Sequence, residues 1–297
     1  MEQKSFRQGE VIFREGDIGN TFYQILSGTA VAYQSYGEEQ QLRLNDMKAG
    51  QFFGEMAVIE AWPRSATVVA EEPVTALEIE TGELNSFFEK QPDQIYALMK
   101  QLGDRIRTMT VDYQEASAFL KNREGAGTQE KEGFLARVRH FLKLDSAARS
   151  GAGSVTAEES IKLEAFAQAN SQLAIKSLDA GEILFRQGDK ANYMYSVQSG
   201  AVGIYVGYGT PEEKQLTVLY ANSFLGEMGM LAEEPRSATA VALEKDTVLE
   251  IIRPEDLEQL FRTNPVEVDM ILRHLSNRLR MLTRDYARVC GQIAGES

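Results

Sequence analysis

Laid on itself at an offset of 172 residues, the sequence repeats. Gly9, Phe13, Arg14, Gly16, Asp17, Asn20, Tyr23, Ser27 and Gly28 recur as Gly181, Phe185, Arg186, Gly188, Asp189, Asn192, Tyr195, Ser199 and Gly200. After a one-residue slip near position 81 the offset becomes 173, and Pro92, Arg105, Asp112 and Tyr113 match Pro265, Arg278, Asp285 and Tyr286. Such a chain is expected to build one unit twice, each copy long enough to close its own core. The copies are read as residues 1–122 and 173–297, with a connector at 123–172.

Within a copy, short apolar runs such as VIF, TFYQIL and TAVAY are broken by Gly9, Gly16, Gly28, Gly37 and Gly50. That rhythm predicts a small roll of short strands, the last at Val74 to Ile79. The periodicity then turns helical, first over Leu84 to Glu89 and Leu257 to Arg262, next in a long helix starting at Pro92 or Pro265. Proline is well tolerated at a helix start. The fold class expected is therefore mainly β with helices, as two β-rolls, each followed by a short and a long helix.

The strongest repeated stretch is FGEMAVIEAWPRSAT at 53–67 and LGEMGMLAEEPRSAT at 225–239. Gly54 and Gly226 allow a sharp turn and close approach of the backbone. Arg64 and Arg236 offer a planar fork of donors suited to two oxygens of one phosphate. Ser65, Ala66, Ser237 and Ala238 add small donors beside them, and the turns through Met56, Ala57, Met228 and Gly229 expose backbone N–H groups to an anion. Glu55 and Glu227 would repel a phosphate and make sense opposite a hydroxyl donor such as a ribose. A salt-bridged corner of a β fold would use the same residues, but an arginine kept in an apolar hairpin without an anion is costly.

These residues resemble the phosphate-binding cassette of the cyclic nucleotide-binding domain family, through Gly54, Glu55, Ala57, Pro63, Arg64 and Ala66, and through Gly226, Glu227, Pro235, Arg236 and Ala238. The resemblance implies that glutamate takes the ribose 2′-hydroxyl and arginine the cyclic phosphate. The second copy departs at Gly229, which keeps the backbone donor and mainly adds chain entropy. Cyclic AMP is favoured over cyclic GMP, because a Thr after the cassette arginine accompanies guanine preference in the family and both copies carry Ser. Trp62 is either a purine stack or a lid on the hairpin.

The long helices carry a seam. Ile95, Met99, Leu102, Ile106, Met109, Tyr113, Ala116 and Leu120 step by fours and threes, as do Val268, Leu272, Leu275, Leu279, Leu282, Tyr286, Val289 and Ile293. This suits a coiled coil of about four heptads. The expected arrangement is an intrachain pseudo-dimer through the two helices, or a homodimer. Thr110 and Thr283, on the flank of the seam, are candidate base contacts by the resemblance. The connector suggests a helix at Glu130 to Leu144, a flexible joint at 146–154 and a capping box at Thr156 and Glu159.

A net charge of −13 opposes nonspecific nucleic-acid or anionic-membrane binding. No apolar run reaches the ~20 residues of a membrane helix, and the N-terminus lacks a signal-peptide core, so the cytoplasm is expected. One cysteine, Cys290, excludes an internal disulfide framework; beside Val289 it is read as core. His140 and His274 are isolated, and no metal or cofactor motif occurs. No winged helix-turn-helix follows the seam, so DNA binding is not expected. The function expected is a non-catalytic cyclic nucleotide sensor relaying ligand binding to an unknown effector protein through its helices. The alternatives are a ligand-independent interaction scaffold and a regulatory subunit of a separate enzyme such as a kinase. Against the last, no Arg-rich segment precedes the first roll.

Overall fold

The computed structural model describes residues 1–34, 36–37, 42–121 and 173–294. The connector readings (the helix at 130–144, the joint at 146–154, the capping box at 156 and 159, and His140) lie outside the described residues, as does the side chain of Cys290.

The first copy builds strands β1 (Glu2–Phe6), β2 (Val11–Phe13), β3 (Thr21–Ser27), β4 (Ala30–Gln34), β5 (Leu42–Met47), β6 (Phe52–Phe53), β7 (Thr67–Ala70) and β8 (Val74–Glu80). They form two four-stranded antiparallel sheets, in the orders β1-β8-β3-β6 and β2-β7-β4-β5. Helix α1 (Glu55–Glu60) interrupts the strands, and α2 (Leu84–Lys90) and α3 (Asp93–Lys121) follow them. The second copy repeats the order with β9 (Ala174–Leu178), β10 (Ile183–Phe185), β11 (Met194–Ser199), β12 (Val202–Val206), β13 (Lys214–Leu219), β14 (Phe224–Leu225), α4 (Glu227–Ala232), β15 (Thr239–Ala242), β16 (Thr247–Ile252), α5 (Leu257–Thr263) and α6 (Pro265–Ala294). Its sheets have the same orders, β9-β16-β11-β14 and β10-β15-β12-β13. Two β-rolls with short and long helices stand where the glycine rhythm placed them.

Each roll closes on side chains from both of its sheets. Tyr23, Ile25, Ala30, Met47, Phe53, Val68, Ala70, Val74 and Ala76 share one core in the first, and Leu178, Leu184, Tyr195, Val197, Val202, Leu225, Ala240, Ala242 and Leu249 share one in the second. The run Phe22 to Ile25 is buried throughout because β3 is covered on both faces. Tyr23 and Ile25 point into the roll, while Phe22 meets Phe52 and Phe87 of α2 at ring distances of 6.0 and 6.3 Å. The short helix is thereby seated on the roll by one aromatic cluster.

The described residues fall into two compact units, one drawn from 1–90, 105–121 and 275–294 and the other from 91–104 and 173–274, so the division runs through both long helices. Within the first unit, Met109, Tyr113, Ala116, Phe119 and Leu120 of α3 form one apolar cluster with Tyr286, Val289 and Ile293 of α6. Within the second, α3 lies on α4: a Cβ placed on Gly103 would come 2.8 Å from that of Leu231, and Lys100 pairs with Glu233 at 2.6 Å. Seam residues of the first halves, Ile95, Met99, Leu102, Ile106, Val268, Leu272, Leu275 and Leu279, are buried as the spacing predicts, and Leu98 and Ile271 widen the stripe.

Candidate functional site

Both cassettes are set by backbone before any side chain is considered. Gly54 and Gly226 adopt φ of 80° and 76°, a left-handed turn that lets α1 and α4 start directly after a two-residue strand. The loop after each helix is tied to the β2–β3 turn or its repeat. Arg64 N–H donates to the Asp17 carbonyl and its own carbonyl accepts from Gly16 N–H, at 2.8 and 2.9 Å; Arg236 repeats this with Asp189 and Gly188, both at 2.8 Å. The arginine backbone is therefore clamped in both directions.

The guanidinium groups then turn inward. Arg64 and Arg236 are 5% and 4% exposed. Nη1 of Arg64 donates to the Gly54 carbonyl at 2.8 Å, and Nη2 donates to the Thr21 carbonyl at 2.5 Å and to its hydroxyl at 3.2 Å. Arg236 reproduces the pattern on Gly226 and Tyr193, both at 2.7 Å. Arg64 lies 4.1 Å over the Phe13 ring, and Arg236 is 4.4 Å over Phe185 with Tyr193 and Tyr195 at 5.4 and 5.7 Å. Neither is ion-paired among the described residues, and the Nε of each is buried without a hydrogen-bond partner. Burial pushes both guanidinium groups below their ordinary pKa, offset only in part by the nearby tyrosines and acids. Two buried cations, each with a donor in hand, are suited to a polarised anion.

The glycines serve the arginine. A Cβ on Gly54 would lie 2.6 Å from Arg64 Nη1, and on Gly226 2.2 Å from Arg236 Nη1. The close approach expected for a ligand is made by the side chain that would hold it. Gly229 has a packing reason beyond chain entropy: a Cβ there would meet the Ala191 methyl at 2.3 Å. In the first copy the residue types at the equivalent positions are exchanged, Ala57 and Gly19, and a Cβ on Gly19 would strike the Arg64 guanidinium at 2.4 Å. One methyl has changed sides between the copies.

Glu55 and Glu227 are 3% and 2% exposed. Glu55 is ion-paired to Arg105 of α3 at 2.6 Å, and Glu227 has His274 Nε2 of α6 at 3.8 Å. His274 also packs edge-on against Phe224. Met56 and Met228 are half-buried, Ala57, Gly229, Ala66 and Ala238 are buried, and Ser65 and Ser237 are exposed beside the buried arginines. Thr110 and Thr283 are half-buried, each with its hydroxyl donating to its own helix, to the carbonyls of Ile106 and Leu279, at 2.8 Å. Sequence reasoning missed the carbonyl ligands at positions 21 and 193, the rings of Phe13 and Phe185, and Arg105. The last three recur in the duplication, which was the available signal.

The model of the cyclic nucleotide-binding domain matches residues 3–91 and again 175–264, more than half of the chain. The chain belongs to the cyclic nucleotide-binding domain family. As a tandem member of it, the chain is similar to a cGMP-dependent protein kinase of Toxoplasma gondii, 26% identical over 260 residues, 88% of this chain and 20% of that protein. It is similar also to a cAMP-dependent protein kinase regulatory subunit of Blastocladiella emersonii, 25% identical over 245 residues, 82% of this chain and 49% of that one. The chain thus spans between about a fifth and a half of the length of those relatives. Among solved structures, the regulatory domain of Toxoplasma gondii PKA with cAMP aligns at 16% identity over 90% of this chain and 85% of that one, with a TM-score of 0.28. The regulatory subunit of a cAMP-independent protein kinase A from Trypanosoma brucei aligns at 16% over 90% and 76%, with a TM-score of 0.31. No helix among the described residues is long and apolar enough to cross a membrane.

Proposed function

We propose that this chain is a non-catalytic cyclic nucleotide sensor with one site in each copy. The observation that carries the reading is the pair of buried arginines, each held by main-chain carbonyls with Nε unpartnered. A cyclic phosphate is a singly charged anion small enough for such a fork, and Arg64 and Arg236 take it. Glu55 and Glu227 accept from the ribose hydroxyl. Ser65 and Ser237, with the cassette N–H groups of Met56, Ala57, Met228 and Gly229, Ala66 and Ala238, close the cradle, and Thr110 and Thr283 remain the candidate base contacts. Cyclic AMP is the proposed ligand in preference to cyclic GMP.

The relay starts at Glu55. Its carboxylate is shared with Arg105 on α3, so a ribose hydroxyl donated to it competes directly with a helix contact. Ligand shifts the position of α3 by whatever difference in affinity the two helix positions give it. The clustering of Tyr113, Ala116 and Leu120 with Tyr286, Val289 and Ile293 within one chain favours the intrachain pseudo-dimer over a homodimer, since these are duplication-equivalent pairs. Regulation of a protein kinase is a second reading for the unknown partner, favoured by relatives that are named as regulatory subunits and cyclic nucleotide-dependent kinases. The protein is proposed to work in the cytoplasm without binding DNA.

Calorimetry with cyclic AMP and cyclic GMP tests the sensor: about two sites per chain are expected, falling to one in Arg64→Gln or Arg236→Gln and to none in the double variant. Absence of heat and of any thermal shift at millimolar ligand would leave the scaffold reading instead.

A further inference from the structure

Trp62 is the single tryptophan of the chain and lies in the loop between α1 and Arg64. Its ring is covered by a residue far away in sequence: the guanidinium carbon of Arg280, from the second half of α6, sits 4.3 Å from the ring centroid. Nη2 of the same arginine is ion-paired to Glu60, the last residue of α1. One side chain therefore touches both the end of the cassette helix and the loop that carries Arg64. Between the two contacts Ala61 ends the helix at φ of 55°, as its repeat Glu233 does at 56°.

The contact is dry. The Glu60 side chain is 10% exposed and that of Arg280 29%. Arg280 Nε and Glu60 Oε1 are buried without hydrogen-bond partners. Burial pushes the Arg280 guanidinium below its ordinary pKa, and Glu60 is what offsets it. A desolvated pair of this kind is lost as a whole once loosened, because either charge left alone is costly. The duplication makes the arrangement one-sided. The second copy has Ala232 and Glu234 where the first has Glu60 and Trp62, so carboxylate and indole occur together only at the first site.

We propose that Arg280 is a positioning residue for the first site, a latch by which the long helix of the second copy holds the first cassette and slows release of its ligand. This rests on the cyclic nucleotide reading of the site. Trp62 N–H donates to the Ala57 carbonyl at 3.1 Å and Arg64 N–H to that of Asp17 at 2.8 Å, so the segment between them is short and tied at both ends. Freeing Trp62 lets that segment relax and takes the Arg64 guanidinium off its carbonyl ligands. Coupling is reciprocal: ligand held at the first site favours the position of α6 in which Arg280 covers Trp62.

Because Trp62 is alone, its fluorescence reads the latch in the full chain without ligand. Arg280→Ala is expected to red-shift the emission and raise acrylamide quenching, and Arg280→Lys, which keeps the charge but not the planar stack, to fall between it and the parent. Unchanged emission and quenching in Arg280→Ala would overturn the latch. Ligand release is then followed with a fluorescent cyclic AMP analogue in the Arg236→Gln background, where only the first site remains. Arg280→Ala is expected to speed release about tenfold, the scale of one desolvated cation–π contact with its ion pair. No change there, or an equal acceleration in the Arg64→Gln background where only the second site remains, would overturn it. Should the parent chain bind no analogue, the sensor reading falls while the fluorescence result still decides whether Arg280 holds the cassette.

Discussion

Alanine and glycine exchange places between the two cassettes at one pair of positions. Gly229 faces Ala191 in the second copy, and the duplication places Ala57 and Gly19 at the equivalent positions of the first, so the methyl stands on the helix in one copy and on the turn in the other. Gly229→Ala is expected to lower stability by about 1–3 kcal/mol through overpacking, and Ala191→Gly in the same chain to restore it; thermal melts of the single and double variants check this. Two single-variant losses that simply add would contradict the exchange. The position was conspicuous in the sequence, since glycine stands where the family has alanine, but its partner 38 residues earlier was not. Contacts between residues so spaced arise only once the turn is folded over the helix. The arginines were legible because their chemistry is unusual in any apolar stretch. Their carbonyl ligands were not, because every residue carries a carbonyl and sequence cannot say which is turned inward.

At the scale of elements, the junction of α5 and α6 in the second copy holds an acid pair that the first copy lacks. Glu267, on the first turn of α6, is buried against Glu250 of β16, with Ser196 of β11 and Asn264 as hydrogen-bond partners. Burial first, and the Glu250 charge second, raise its carboxyl to about 7. The folded state therefore holds this proton more tightly than the unfolded chain does. The associated stability is fully present below the unfolded value near 4.5 and is lost as pH rises through about 7. The difference is on the order of 3 kcal/mol. Melts of Glu267→Gln are expected to show a gain at pH 8 and a flatter profile between pH 5 and 8 than the parent. A parallel profile would mean that Glu267 does not take up a proton on folding. The duplication supports the choice of variant, because the first copy has Gln94 at this position. Strand and helix positions themselves were readable from glycine spacing and from fours and threes. The acid pair was not, since its members are 17 residues apart and look like two ordinary surface glutamates.

For the molecule as a whole, the proposed intrachain pairing predicts a monomer in sedimentation at micromolar concentration, with or without ligand. Tyr286→Asp, in the cluster shared by α3 and α6, is expected to cost about 2–4 kcal/mol in melts without producing a dimer. A parent chain that sediments as a dimer would favour pairing between chains instead. The duplicated pattern of amino acids determined two rolls, each followed by a short and a long helix, and an arginine-bearing turn in each, because periodicity and glycine placement act over a few residues and recur. Only the tertiary structure decided that Arg105 shares the Glu55 carboxylate, that Arg280 covers Trp62, and that compact units are assembled from parts of both copies. Those are meetings of side chains from distant stretches, set by how long helices cross rolls, and local pattern carries no record of such crossings.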